Sequence, residues 1–264
     1  MYRHLALVWR SLVGGSGAAY AACMENLASN EIGQSAEIQK FGRLAPQWWD
    51  SRGPMRVLHR MNEVRVGWVA ARAGAGAIRL VDVGCGAGIA AEAFARLGYD
   101  VLGVDASAEA ITAGRRHAAA EAVPVTYRVG VAADLLAENA TAEAVTALEV
   151  IEHVEDQPGF LAELAGLTVP GGRVFVSTLN RTLRSLAFAK IGAEYVARLL
   201  PAGTHDWQRF VPPEALAAYG RAAGLRLIDI SGMAMNPLTG DWSLTRNLAV
   251  NYIAAFEKPA ASGA

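Results

Sequence analysis

The stretch Val81-Asp82-Val83-Gly84-Cys85-Gly86-Ala87-Gly88 restricts the fold of this chain more than any other. It continues a short apolar run that begins at Ile78, and an apolar helical pattern follows over residues 89–97. The order is therefore strand, glycine turn, helix start. Glycines let the backbone turn tightly and approach a ligand without Cβ clashes. The helix start behind them offers N–H groups that have no intrahelical partner. A strand that feeds a helix through such a turn opens a right-handed crossover and commits the chain to a parallel sheet.

The rest of the chain keeps that rhythm. Strands are expected at 78–83, 100–104, 125–129, 144–148 and 173–177, and helices at 89–97, 108–122 and 160–167. The strands are continuous apolar runs, as burial on both faces requires. Residues 180–211 read as an insertion, Pro212-Pro213-Glu214 opens a helix over 215–223, and strands at 225–230 and 252–256 close the domain. Upstream, Ile38, Phe41, Leu44, Ala45 and Trp48 recur at helical spacing. Leu58, Met61, Val64 and Val69 do so after Ser51-Arg52-Gly53-Pro54. The resulting division is an extension over 1–23, a helical cap over 24–73, an α/β domain over 74–258 and a tail over 259–264. Within the extension, Leu5-Ala6-Leu7-Val8-Trp9 has the flavour of a signal peptide, but Arg10 cuts it short. The expectation is a disordered leader, with Met24 opening the working protein.

Composition narrows the partners. Lys plus Arg number 24 against 25 Asp plus Glu, which leaves no basic field for a polyanion, and nucleic acid is not expected. Cys23 and Cys85 are the two cysteines. They cannot build a metal cluster alone, and their scarcity fits a reducing cytoplasm.

Three details sharpen the loop. Its spacing is G-x-G-x-G, not the G-x-G-x-x-G of a dinucleotide site. Asp82 precedes Gly84 by two positions, where it can orient the amino-acid end of a ligand. Asp105 ends the second strand 21 residues after Gly84, where an acid can take both ribose hydroxyls of an adenosine. The blander reading is that Asp105 only caps the next helix.

A second polar cluster, Leu148-Glu149-Val150-Ile151-Glu152-His153-Val154, follows the fourth strand, on the edge of an α/β sheet that faces the ligand crevice. Its carboxylates suit a hard divalent ion, and His153 can ligate or take a proton. A solvated turn that caps the next helix fits the spacing as well.

The glycine loop and its setting resemble the class I methyltransferase family. That resemblance implies an α/β, Rossmann-like, seven-stranded sheet with a reversed last strand, N-terminal helices and an insertion after strand 5. Over residues 36–257 the chain is similar to the ubiquinone-biosynthesis O-methyltransferase family. The strings that carry the likeness are Phe41 to Trp48-Trp49-Asp50, Leu58-His59-Arg60-Met61-Asn62 with Arg65, the glycine loop and Glu149 to His153. Further along they are Ser177-Thr178-Leu179-Asn180-Arg181, Gly192-Ala193-Glu194-Tyr195, Pro201 to Gly203-Thr204-His205-Asp206, and Asn251-Tyr252.

The resemblance implies methyl transfer from S-adenosylmethionine to phenolic hydroxyls of 2-polyprenyl-6-hydroxyphenol and 3-demethylubiquinol. Arg65, Gly84, Asp105 and Leu148 match cofactor-contacting positions of the family, beside Asp82, Gly86 and Gly88 of the loop. Glu149, Glu152 and His153 match a segment that some members use for a divalent ion such as magnesium. His153 is the first candidate for the base that activates the phenol, with Glu149 and Glu152 beside it, and His205 is the second. Two positions depart from the family: Ala142-Glu143 replaces an aromatic-Asp pair, and Gly130 replaces an acid, with Asp134 displaced. Both bear on the adenine edge.

A polyprenyl substrate lives in the bilayer. Residues 183–200 combine Leu183, Leu186, Phe188, Ile191, Tyr195, Val196, Leu199 and Leu200 with Arg184, Lys190 and Arg198, and with Arg181 just before them. That pattern suits a membrane interface, or equally a helix packed on the domain. The expectation is a cytoplasmic protein, peripheral at the inner face of the membrane, beside other enzymes of the pathway. The rival readings are a methyltransferase for another small phenol, a non-catalytic module that binds an adenosyl ligand, and a dinucleotide oxidoreductase. The glycine spacing disfavours the last.

Overall fold

The computed structural model describes residues 44–74, 78–182, 185, 209–236 and 238–260. The expected extension over 1–23, the helical pattern before residue 44, the amphipathic run over 183–200 (Ser185 apart), His205 and the last four residues lie outside them. Among the described residues are helices α1 (Arg56–Ala73), α2 (Ile89–Arg96), α3 (Ala108–Ala120), α4 (Ala132–Ala137), α5 (Gln157–Leu167) and α6 (Pro213–Ala222). The strands are β1 (Arg79–Val83), β2 (Asp100–Asp105), β3 (Val125–Val129), β4 (Ala142–Leu148), β5 (Thr168–Leu179), β6 (Arg226–Met235), β7 (Trp242–Thr245) and β8 (Asn251–Glu257).

The strands form one sheet in the order β3-β2-β1-β4-β5-β8-β6-β7. The first five are parallel, and β8 runs antiparallel between β5 and β6. This is the expected sheet with its reversed last strand, plus one strand that the apolar pattern does not reveal. β7 hydrogen-bonds to β6 as an eighth, edge strand. It is four residues long with a mixed exposure pattern, too short and too little buried to give a periodic signal. Helix α4 is likewise silent in the pattern. It has six residues, and its first turn is closed by Asp134, whose Oδ2 accepts from Val131 N at 2.9 Å.

Both faces of the sheet are buried, which explains the unbroken apolar strands. Val81, Val145, Val174 and Val176 pack with Leu135, Leu161, Leu164 and Phe256 on one face. Leu80, Ala144 and Phe175 pack with Phe94, Ile111, Trp68 and Val69 on the other. Truncating a fully buried residue such as Leu164 or Phe94 to alanine costs about 2–5 kcal/mol. The inward face of α1 is Met61, Arg65, Val66, Trp68 and Val69, so Val64 is turned away from the core. An arginine on the buried face is the first sign that α1 does more than pack.

Pairing registers place the site. Asp82 lies beside Gly103 on one side and Thr146 on the other, and Leu148 lies beside Ser177. Asn251 starts β8 opposite Leu179. The carboxyl ends of β1, β2, β4 and β5 and the start of β8 therefore share one edge, where α/β sheets bind ligands.

Candidate active site

The glycine loop is built as its sequence requires. Gly84, Gly86 and Gly88 have φ of 70°, 57° and 91°, in the region that disfavours side chains. A Cβ on Gly86 would overlap the Trp48 ring, and one on Gly88 would overlap the Tyr127 phenol. Gly84 N and Cys85 N both donate to Val104 O, at 2.7 and 3.1 Å, which pins the turn to the end of β2.

Asp105 ties the loop to the second strand. Its Oδ2 accepts from Gly86 N and its Oδ1 from Ser107 N, each at 2.8 Å. The cap of α3 is Ser107, whose hydroxyl accepts from Ala110 N at 3.2 Å. Asp105 is thus not a mere helix cap. Burial raises its pKa, against those two N–H donors, and each oxygen keeps a second lone pair for a ligand hydroxyl.

Behind the loop, Asp82 is buried and accepts from the Thr146 hydroxyl at 2.6 Å. Burial lifts its pKa to about 6, opposed by Thr146 and Arg65. Arg65 is 3% exposed. Burial lowers its pKa, while Glu149, Asp82 and Glu152 hold it up. Its Nε is buried without a hydrogen-bond partner. A buried donor left unmade costs about 1–3 kcal/mol, so this cationic donor suits an anionic group brought by a ligand. The cradle and that donor fit the expected cofactor. Leu148, at the end of β4, is half-buried against the α1–α3 face of the sheet.

The acidic segment lies next to this cradle. Glu149 adopts φ 60°, a left-handed conformation that a non-glycine residue holds only when its surroundings enforce it. Three groups do so. Glu149 N donates to Ser177 O at 3.0 Å, and the Ser177 hydroxyl donates to Oε1 at 2.7 Å. Asn251 Nδ2 donates to Oε2 at 3.2 Å. Glu152 is 4% exposed and accepts from the Thr178 hydroxyl at 2.7 Å. Burial, then the neighbouring Glu149, pushes its pKa up to about 7, while His153 pulls it down. His153 ends the single turn Ile151–His153 and is half-buried. Helix α5 is capped instead by Asp156, whose Oδ1 accepts from Gly159 N at 2.9 Å, so the segment is not simply a helix start.

Among the described residues, no three His, Cys, Asp or Glu side chains are gathered to hold a metal ion. Glu149, Glu152 and His153 stand close in sequence but do not form such a set. Ser177 and Asn251 occupy one carboxylate and Thr178 the other. Hydrated magnesium can be held by one or two carboxylates, so a chelator experiment bears on this directly.

Sequence reasoning missed Ser177, Thr178 and Asn251 as site residues, although all three fall in the family strings. It also missed Thr146. Their signal was a buried hydroxyl or amide at a strand end, which one sequence does not distinguish from ordinary strand residues. Of the two acids that stand near the departures from the family pattern, Asp134 spends itself on the start of α4, and Glu143 accepts from Arg79 N at 3.0 Å.

Comparison with known proteins agrees with this architecture. A family model described as a methyltransferase domain matches residues 57–230. The ubiquinone biosynthesis O-methyltransferase of Methylobacterium nodulans is 44% identical over 237 residues, 85% of this chain and 95% of that one. The protein of the same name from Xanthomonas axonopodis pv. citri is 45% identical over 225 residues, 85% of this chain and 94% of its own. Among solved structures, magnesium protoporphyrin IX methyltransferase from Synechocystis with bound SAH aligns with a TM-score of 0.63. It shares 18% identity over 88% of this chain and 99% of its own, which speaks to the fold alone. No described helix is long and apolar enough to cross a membrane. With a methyltransferase domain matched over 57–230 and relatives 44–45% identical across 85% of its length, the chain belongs to the ubiquinone biosynthesis O-methyltransferases, enzymes that depend on S-adenosylmethionine.

Proposed function

We propose that this chain methylates phenolic hydroxyls of polyprenylated rings, 2-polyprenyl-6-hydroxyphenol and 3-demethylubiquinol, in ubiquinone biosynthesis. The observation that carries the reading is the meeting, on one sheet edge, of a glycine cradle with an unpartnered Arg65 Nε donor, and of a buried Glu152 with the half-buried Glu149 and His153.

S-adenosylmethionine, when bound, supplies a methyl group on a sulfonium, open to in-line displacement. The chain's residues bind and orient it. Asp105 accepts from the ribose hydroxyls, Arg65 takes the carboxylate, Asp82 faces the amino group, and Leu148 packs against it. Holding the two reactants in line is the main way such a site speeds the transfer. The phenol, with a pKa of about 10, also needs a base at neutral pH. We assign that role to His153, with Glu152 beside it to stabilise the imidazolium. Glu149, fixed by Ser177 and Asn251, orients the turn. His205 is the alternative base. The polyprenyl tail brings the reaction to a bilayer, where residues 183–200 supply the amphipathic contact. The enzyme then works peripherally at the cytoplasmic face, among the other enzymes of the pathway.

The test is to incubate the chain with labelled S-adenosylmethionine and a short-chain demethylubiquinol, with and without EDTA. Methyl transfer is expected, and its absence under every condition sinks the substrate assignment. Activity that EDTA removes and magnesium restores would give the carboxylates a metal role.

A further inference from the structure

Trp48 and Trp49, just before α1, belong to no part of the site described above, yet several links fasten them to the cofactor loop. Trp49 Nε1 donates to Ala87 O at 3.1 Å. Its indole lies flat on the His117 imidazole of α3, with centroids 3.4 Å apart and planes 1° from parallel. His117 Nδ1 donates to Glu92 at 2.9 Å. From α1, His59 Nε2 donates to Trp48 O at 2.9 Å and meets the Trp49 ring edge-on at 5.8 Å. Glu92 is fully buried on α2, the helix the loop opens, and also receives Arg96 at 3.2 Å.

A carboxylate is costly to bury and is kept only with charged or strongly hydrogen-bonded partners. Here that carboxylate fixes the plane of one imidazole, and the imidazole fixes one indole. The outcome is the position of Trp48, buried against Gly86 where a side chain on that residue would stand. Its ring walls the loop from water and offers an aromatic surface beside a site for a cationic ligand.

We propose that His117, held by Glu92, is a positioning residue for cofactor binding: it sets Trp49, and through it the Trp48 wall over the glycine loop. The proposal rests on the reading that this loop binds S-adenosylmethionine.

Two substitutions of His117 separate positioning from mere satisfaction of Glu92. Its side chain is 25% exposed, so both should be tolerated. His117→Gln can keep the hydrogen bond to Glu92 but removes the ring. His117→Phe keeps a flat ring under Trp49 and removes the hydrogen bond. Titrating the full-length chain with S-adenosylhomocysteine, we expect His117→Gln to weaken binding about tenfold and His117→Phe about threefold or less. The KM for S-adenosylmethionine should follow the same order, with kcat and the quinol KM changed by no more than about twofold. A purely structural role predicts the reverse order, because Glu92, left with Arg96 as its partner and without the His117 hydrogen bond, would then dominate. Wild-type affinity in His117→Gln, or that reversed order, overturns the proposal. A wild-type chain that does not bind S-adenosylhomocysteine overturns the cofactor reading instead.

Discussion

The two halves of the proposed site are made of different materials. At the ends of β1 and β2 the cofactor half is mostly backbone: glycines in left-handed conformations, N–H groups paired to Val104 O, and one carboxylate that braces the turn. At the ends of β4, β5 and β8 the acceptor half is mostly side chain. Ser177 and Asn251, far apart in sequence, converge on the Glu149 carboxylate, and Thr178 serves that of Glu152. Backbone cradles suit a ligand shared by many enzymes, because they read a common group by shape. Side-chain constellations can change with the acceptor while the cradle stays. Asp82 and Thr146 form the seam, one residue from each half.

The comparison is tested most severely at Gly86. Gly86→Val should weaken S-adenosylhomocysteine binding by at least about 100-fold, because the loop must leave φ 57° and displace Trp48. Calorimetry would show it. A loss below about tenfold would mean the loop is not the cradle.

The difference in material also explains what the sequence made legible. A loop written in consecutive residues, 82 to 88, announces itself, and so does Asp105, which ends the neighbouring strand. The parallel sheet was legible because burial on two faces leaves short apolar runs such as residues 174–176 of β5. Glu149 and Glu152 stood out as charges at a strand end. Their partners did not, since Ser177 meets Glu149 only through the β4–β5 pairing and Asn251 only after β8 has inserted antiparallel beside β5. That pairing depends on tertiary register and leaves no local mark in either strand. β7 and α4 escaped for a simpler reason, being too short to show a period.

The seam gives the next effect. Asp82 has a pKa of about 6 in the folded chain against 3.8 in the unfolded one. Between those values the folded state binds more protons, so stability falls as pH rises from about 4 to about 6 and then levels. The change attributable to Asp82 is on the order of 3 kcal/mol. Glu152 adds a slope of the same sign up to about pH 7. Asp82→Asn should remove the lower part of the slope while keeping an acceptor for Thr146. Urea titrations at pH 4.5 and 6.5 measure this. Equal pH dependence in wild type and Asp82→Asn would show that the seam is not strained by an ionised acid.

The smallest effect is the most selective. Asn251 holds Glu149 through longer hydrogen bonds than Ser177 does, 3.2 and 3.4 Å against 2.7 Å, and its Oδ1 is buried without a partner. Asn251→Ala therefore removes a weak bond and an unsatisfied acceptor together, and stability should change by less than about 1 kcal/mol. Glu149 then keeps Ser177 but loses its brace from β8, and its left-handed backbone is less firmly enforced. We expect kcat to fall about fivefold with S-adenosylhomocysteine affinity unchanged. Asn251→Asp, which sets a second carboxylate against Glu149, should lower kcat further. If either variant weakened cofactor binding as much as it slowed turnover, the two halves would be one coupled unit. The division of the proposed site into a backbone cradle and a side-chain acceptor site would then fail.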